Sequence, residues 1–281
     1  MTYVSPKNLS EAIEELDGRN WTVLAGGTDI FPATDEHALT GNVLDISHIK
    51  ELREIAYRDD CWSIGALATW SDIQERELPL AFNALQLAAK EVGSIQIQNR
   101  ATIAGNICNA SPAADGVPPL LVLNGSVEAL SATGTRRVPL AEFILDNRKI
   151  ALKKDELVTR ILVPGEATKG YSAFFKLGSR KYLVISISMV AVRVETDDQG
   201  YITEAAVAVG ACSAVAKRLI ALERVLLGKN VTEDVSGLVT LGHLAPLTPM
   251  DDVRAKSDYR SDATLTMVRR ALSEVGKRLQ K

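Results

Sequence analysis

Apolar positions along this chain keep helical spacing in a few stretches and elsewhere gather in short runs that end at glycine or proline. Leu9, Ala12, Ile13 and Leu16 fall on one face of a helix that Asn8 or Ser10 would cap and Gly18 would stop. Residues 21–24 (WTVL) then read as a strand running straight into Gly26-Gly27-Thr28-Asp29, and 42–46 and 61–65 read as further short strands. A helix is expected over 78–92 after Pro79, with Leu80, Ala84, Leu87, Ala88 and Glu91 at its spacing. The next stretch, 101–115 (ATIAGNICNASPAAD), alternates too poorly to read as helix or strand. Proline opens a short helix at 118–123, strands follow at 127–130, 137–140 and 157–163, and Pro164-Gly165 marks a boundary. Beyond it, β-branched runs at 186–194 and 202–209 flank Asp197-Asp198-Gln199-Gly200, a hairpin signal. Val215, Leu219, Leu222 and Leu226 predict an amphipathic helix over 214–227, and 262–279 closes the chain as another. No internal repeat or low-complexity tract interrupts this order.

Composition acts mainly by exclusion. Hydrophobic residues make up 46% and charged residues 24% of 281, the balance of an ordinary globular protein. A formal net charge of -3, with no Lys/Arg-rich block, leaves no electrostatic footprint for nucleic acid. The start has no basic segment followed by an apolar run, and no window reaches the roughly 18 apolar residues of a membrane span, so a cytoplasmic protein is expected. Cys61, Cys108 and Cys212 are too dispersed for a disulfide framework or for zinc or iron–sulfur ligation, so cluster chemistry would have to come from another chain. His37, His48 and His243 form no metal-binding pair and read as surface or capping residues.

Candidate chemistry lies in two small-residue segments. In Leu24-Ala25-Gly26-Gly27-Thr28-Asp29, glycines leaving a strand let an anion reach the amide groups without meeting a Cβ, although such a pair is also a common plain turn. No G-x-G-x-x-G opens a long helix and no lysine follows the glycines, which excludes the Rossmann and Walker patterns. Thr102-Ile103-Ala104-Gly105-Asn106 offers a hydroxyl, small residues and an amide donor as a second phosphate loop. Asp115 is either a helix cap ahead of Pro118 or an acceptor for sugar-like hydroxyls. Together these residues suggest a dinucleotide held without a Rossmann turn.

Three motifs carry a resemblance over essentially the whole chain: VLAGGTDIFP at 23–32, IQIQNRATIAGNICNASPAADGVPPLLVL at 95–123, and VRAKSDYRSDATLTMVRRAL at 253–272. They resemble the FAD-binding medium subunit of molybdenum hydroxylases, the group of xanthine dehydrogenase and carbon monoxide dehydrogenase. The resemblance implies an α+β fold. A p-cresol methylhydroxylase-type FAD domain over 1–165, in subdomains of about 1–53 and 54–165, would precede a smaller α/β C-terminal domain over 166–281. It implies that Val23, Leu24, Ala25, Gly26, Gly27, Thr28, Asp29 and Ile30 line the pyrophosphate and flavin edge and that Thr102, Gly105 and Asn106 form the second phosphate loop. Ser111 and Asp115 would sit toward the ribityl and ribose, a backbone contact would come from the strand carrying Val158, and Lys176 of YSAFFK would stand near the flavin. Ala104 replaces the first glycine of the family's T-x-G-G-N, tolerably if its φ is negative, and Gln98 stands where arginine is frequent.

No catalytic residue and no metal ligand is assigned, because the chemistry would be the flavin's. The resemblance implies a hetero-oligomer in which a large subunit carries the molybdenum cofactor and a small subunit carries 2Fe–2S clusters. This chain would pass their electrons to an acceptor such as NAD. FAD would be noncovalent, since neither glycine segment holds a histidine or cysteine placed for attachment, with Cys108 the nearby nucleophile. The alternatives are a self-sufficient FAD-dependent reductase on the same fold, as in the family that reduces an enolpyruvyl sugar nucleotide, or a non-catalytic assembly protein that has lost FAD.

Overall fold

A computed structural model describes residues 2–16, 19–34 and 39–280; the expected stop at Gly18 and His37 lie outside them. The first sheet is small and parallel, with β1 (Thr2–Val4), β2 (Thr22–Leu24) and β3 (Asn42–Asp45) in the order β1-β3-β2. Helix α1 (Leu9–Leu16) connects the first two strands. Asn8 caps it by accepting from the Glu11 amide at 3.0 Å, while the Glu11 carboxylate accepts from the Lys7 amide and Asn8 Nδ2. Its buried face of Ala12, Ile13 and Leu16 packs with Leu44, Ile46 and Ile49.

The second sheet is antiparallel, with β4 (Ile55–Arg58), β5 (Cys61–Gly65), β6 (Ser126–Ser131) and β7 (Gly134–Pro139). After the small hairpin of β8 (Ile144–Asp146) and β9 (Lys149–Ile150) comes its central strand β10 (Leu157–Pro164), in the order β4-β5-β10-β6-β7. Between β5 and β6 run α2 (Trp70–Glu75), α3 (Asn83–Glu91), α4 (Ile95–Gln98), α5 (Ile103–Asn109) and α6 (Val117–Val122), and α7 (Leu140–Phe143) follows β7. Their apolar residues share one core with Ile64, Val127, Ile161 and Val163 of the sheet.

The third sheet holds β11 (Tyr171–Leu177), β12 (Ser188–Thr196), β13 (Ile202–Gly210) and β14 (Lys217–Arg218) in sequential antiparallel order, followed by α8 (Ile220–Leu226) and α9 (Ser257–Leu279). Strand β12 is buried on both faces, which is why its apolar residues do not alternate with polar ones from Met189 to Val192. Val190, Val192 and Val194 meet the core formed with α8 and α9, whereas Met189 and Ala191 join the core of the second sheet. Buried Arg193 on β12 donates Nε to the Val122 carbonyl at 2.9 Å, and Arg218 donates to the Leu121 carbonyl at 3.1 Å. Two cations thus sit on the carbonyls at the end of α6, where Leu121 also accepts from the Asn124 amide at 3.1 Å.

Several expected elements differ. The 78–92 helix begins as a 3-10 turn, Leu80–Phe82, before α3, and its buried face is Ala81, Phe82, Ala84, Leu85, Ala88 and Ala89, leaving Leu80 66% exposed. The small alanines let β11 come close enough for Ser172 Oγ to donate to the Ala81 carbonyl at 2.6 Å and accept from the Ala84 amide at 2.8 Å. The helix expected over 214–227 covers only Ile220–Leu226: Lys217 and Arg218 pair with Val209 and Ala208 instead, so Val215 lies before the helix. The last helix starts at Ser257, ahead of 262, where the Ser257 amide is taken by Asp251 Oδ1 at 2.7 Å. The unreadable stretch contains α5, a seven-residue helix stopped by Ala110 in the left-handed region at φ 47°. Strands β1, β4 and β11 and helix α2 were not anticipated from the hydrophobic pattern.

Candidate functional site

Strand β2 delivers the first glycine segment to its place. Its Leu24 carbonyl accepts from the Ile46 amide at 3.0 Å, and the chain then leaves the sheet. Gly27 sits at φ 75°, and the Phe31 amide donates back to the Gly27 carbonyl at 3.3 Å to close the turn. The amides of Gly26, Gly27, Thr28, Asp29 and Ile30 donate to no group among the described residues. A run of such N–H groups around a left-handed glycine is an anion cradle, because these dipoles need an acceptor that the described residues do not supply.

Gly26 is glycine for a reason the sequence did not suggest. A Cβ there would collide with the Arg100 carbonyl oxygen, so the first segment is pressed against the backbone leading into the second. That second segment is the first turn of α5. Thr102 Oγ1 accepts from the Gly105 amide at 3.0 Å, and the Ile103 amide donates to the Ala68 carbonyl at 3.0 Å. Gly105 is helical, and a Cβ on it would meet only Thr102 Oγ1 at 2.8 Å. Ala104 is helical too, so its φ is negative and its buried methyl group is accommodated. Asn106 Oδ1 accepts from the Gly116 amide at 3.1 Å, while its Nδ2 makes no hydrogen bond among the described residues.

The two segments face each other across a cleft of about 520 Å³, within the ~300–1,000 Å³ of small-molecule sites. It gathers Val23, Ala25, Gly26, Gly27, Thr28, Asp29 and Ile30 with Thr102, Gly105, Asn106 and Ser111. Leu24 alternates away from Val23 and Ala25 along the strand and is not in the lining. Val158, buried on β10 beside the irregularity before Arg160, is also outside it.

Asp115 and Lys176 lie behind the wall rather than in it. Lys176 Nζ donates to Asp115 Oδ2 at 2.9 Å and to the Glu91 carbonyl at 3.2 Å, and Ser186 Oγ donates to Asp115 Oδ1 at 3.4 Å. Asp115 therefore caps no helix; α6 begins after Gly116 without a side-chain cap. Burial pushes the Asp115 carboxyl up to about 6 against the opposing pull of the Lys176 ammonium and its hydrogen bonds, and the Glu91 carboxylate adds to the rise.

Of the other lining residues, Cys108 stands out in the sequence as a nearby nucleophile, whereas Arg148, Trp70 and Ile185 carry no legible signal there. Arg148 is the one cation in the described lining; it sits at φ 60° in the β8–β9 turn, donates its amide to the Ala110 carbonyl at 2.9 Å, and binds Asn109 through its guanidinium. Trp70, Ile97 and Ile185 add apolar wall. Cys108 also lines the cleft, but burial pushes its thiol up to about 12, so it is not a thiolate nucleophile at neutral pH. Gln98 turns inward, donating to the Lys90 and Val92 carbonyls at 3.3 and 2.9 Å, and occupies no place in the lining.

A second cavity of about 210 Å³ shares Ala25, Gly26 and Thr102 with the first and adds Ser47, Lys50, Arg53 and Arg100. Arg53 is held by Asp72 through bonds of 3.1 and 3.0 Å, whereas Lys50 and Arg100 form no ion pair among the described residues. No cluster of His, Cys, Asp and Glu suited to a metal occurs among the described residues, and His243 is occupied in a capping exchange with Thr240. No described helix is long and apolar enough to cross a membrane.

Comparison with known proteins adds to this geometry. Residues 1–166 match the family described as the FAD binding domain in molybdopterin dehydrogenase, and residues 173–275 match the CO dehydrogenase flavoprotein C-terminal domain. The FAD-subunit of nicotinate dehydrogenase from Eubacterium barkeri is 33% identical over 82% of this chain and 80% of its own. The medium chain of glyceraldehyde dehydrogenase from Sulfolobus acidocaldarius is 28% identical over 98% of both. Carbon monoxide dehydrogenase from Hydrogenophaga pseudoflava, solved without the Mo-pyranopterin moiety, superposes with a TM-score of 0.88 at 27% identity, over 99% of this chain and 98% of that one.

Proposed function

This chain belongs to the FAD-binding subunits of the molybdopterin dehydrogenases, oxidoreductases of the xanthine and carbon monoxide dehydrogenase kind, and from that premise we propose that it is an electron relay. It would take electrons from a 2Fe–2S small subunit, fed by a molybdenum-cofactor large subunit, and pass them to an external acceptor such as NAD in the cytoplasm. The observation that carries the reading is the row of amides from Gly26 to Ile30 that donate to no group among the described residues, set opposite the α5 turn across one cleft.

FAD, when bound, supplies the redox chemistry. The chain's own residues bind and orient it. The amides of Gly26 to Ile30 would accept the negative charge of the pyrophosphate, with Asn106 Nδ2 and the Ser111 hydroxyl as further donors from the facing wall. Thr102 and Gly105 hold that wall in shape, and Leu24 and Val158 would act through backbone rather than side chain. Asp115 and Lys176 set the charge behind the wall. The second cavity, where Lys50 and Arg100 have no ion pair among the described residues, suits the remainder of a dinucleotide too long for the first. In this assignment the FAD-binding domain spans 1–165 and the C-terminal domain 166–281. Attachment is noncovalent, since Cys108 is held as a thiol.

The test is reconstitution. The purified chain should bind FAD and hydroxylate nothing, and added small and large subunits should restore substrate-dependent reduction of its flavin. Substrate-dependent reduction by this chain alone would refute the relay and favour a self-sufficient reductase; a chain that binds no FAD would refute both.

A further inference from the structure

Asp115 presents an unresolved oddity in energetic terms. A carboxylate and an ammonium are buried together, with side-chain exposures of 11% and 6%, in a place where apolar residues would pack without desolvation cost. Apart from Lys176 itself, the residues gathered at this pair are each next in sequence to a residue of the cleft wall. Ala114 precedes Asp115 itself, Ile185 precedes Ser186, and Val92 follows Glu91, whose carbonyl holds Lys176. Gly116, on the other side of Asp115, donates to the Asn106 side chain in the same wall. The charge pair is therefore fastened directly behind the cleft from α3, from the segment between α5 and α6, from β11 and from the entry to β12.

We propose that Asp115 is a charge-setting and positioning residue that takes up a proton when the flavin in the cleft is reduced, so that the redox equilibrium and the protonation of this carboxylate are coupled. The inference rests on the reading that the cleft holds FAD. Two electrons pass to the flavin from the iron–sulfur subunit together with the flavin's own proton, and one further proton passes from solvent to an Asp115 carboxylate oxygen, forming its O–H bond; no other bond in the chain is made or broken. Reduction places negative charge in front of the wall, which disfavours a second negative charge behind it. Once Asp115 is protonated, the Lys176 charge is no longer offset and favours the reduced state. By linkage the effect is reciprocal, so protonating Asp115 must ease flavin reduction as much as reduction eases protonation. Burial has already raised this carboxyl to about 6, close enough to neutrality for a modest change in charge across the wall to matter, with Lys176 opposing and Glu91 reinforcing that rise.

The experiment is a spectroelectrochemical titration of the FAD-loaded chain from pH 5 to pH 8.5, with flavin content measured by absorbance. Wild type should show an inflection near pH 6 in its midpoint potential, on top of the flavin's own proton dependence. Asp115→Asn should lose that inflection, and at pH 8 should favour the reduced flavin about tenfold at a fixed potential, which for a two-electron couple is about 30 mV. Asp115→Glu should restore the inflection, a rescue that packing alone would not give. Should the Asn variant fail to fold, Ser186→Ala serves instead: it removes one hydrogen bond from the carboxylate and should move the inflection to higher pH. Parallel curves for wild type and Asp115→Asn at full flavin content, or an unmoved inflection in Ser186→Ala where that variant stands in, would overturn the coupling alone. A wild-type chain that retains no flavin would overturn the FAD reading beneath it.

Discussion

Gly26→Ala is the sharpest test of how the cleft is built, because the variant adds one methyl group at the point where its two walls touch. In place, that methyl would collide with the Arg100 carbonyl oxygen, and the nearest atoms all belong to the backbone at Arg100 and Ala101. Backbone cannot rotate aside as a side chain does, so the first segment must withdraw from the second. Overpacking of this kind costs about 1–3 kcal/mol. If the strain falls on the geometry that presents the amides from Gly26 to Ile30, FAD affinity should fall roughly five- to 150-fold. Two neighbouring glycines calibrate the effect. Gly27→Ala must hold φ at 75°, costing about 1–2 kcal/mol, and meets the ring of Phe31 at 2.7 Å, which is 55% exposed and free to move. Gly105→Ala is helical, so a gain of about 1 kcal/mol in helix propensity offsets any loosening of the Thr102 cap of about the same size. The expected order of affinity loss is Gly26 first, Gly27 next and Gly105 least. Flavin fluorescence titration of each apoprotein, with thermal unfolding of the same samples, measures both terms. Wild-type affinity in Gly26→Ala would refute the argument that contact between the two segments shapes the site.

Denaturing the FAD-loaded chain in acid should release all of its flavin, and Cys108 in the folded protein should react slowly with iodoacetamide at pH 8, because its thiol is pushed up to about 12; flavin remaining on precipitated chain would contradict both. Arg148→Asn keeps a residue tolerant of φ 60° but removes the cation from the lining, so FAD binding should weaken by about tenfold and become less sensitive to salt in the same titration. The Asp115 carboxyl lies above its unfolded value of 3.8, so its contribution to stability is fully present below pH 3.8 and is lost as pH rises through about 6. Urea unfolding should therefore shift in favour of Asp115→Asn, relative to wild type, by up to roughly 3 kcal/mol between pH 3.5 and pH 7; a difference independent of pH would contradict it.

What the sequence made legible follows from where side chains report on their surroundings. Strands 157–163 and 202–209 came through because β-branched residues recur along them and 61–65 because Trp62 and Ile64 run into Gly65, and β5, β10 and β13 agree to within a residue. The glycine pair was legible as a break after a strand, but its cause was divided between residues. Gly27 needs its dihedral freedom, whereas Gly26 needs the absence of a Cβ because of a carbonyl some seventy positions away in order, which no local pattern records. Helix α5 was hidden by the same economy: a glycine at its third position and a cysteine and asparagines after it give weak helical spacing, and the Thr102 cap decides the matter. Arg148 was invisible for a simpler reason. It reaches the cleft because a hairpin turn is docked on the end of α5, a contact between segments that are each unremarkable alone.

The join between the two matched families, between residues 166 and 173, falls in the chain but not in the core. Phe174, Met189, Ala191, Ala206 and Ala208 of the third sheet pack into the same apolar cluster as α3 and α6. Arg193 and Arg218 donate to the carbonyls that end α6, and Lys176 and Ser186 hold Asp115. Each of these contacts is made by the later part of the chain on the earlier one, and loss of Arg193 or Lys176 would strip a buried carbonyl or carboxylate of its charged donor. The third sheet thus braces the wall of the cleft from behind. A cofactor held by backbone amides on one side needs that rigidity on the other, because amides fixed to a yielding frame would lose their aim on a phosphate long before the fold itself came apart.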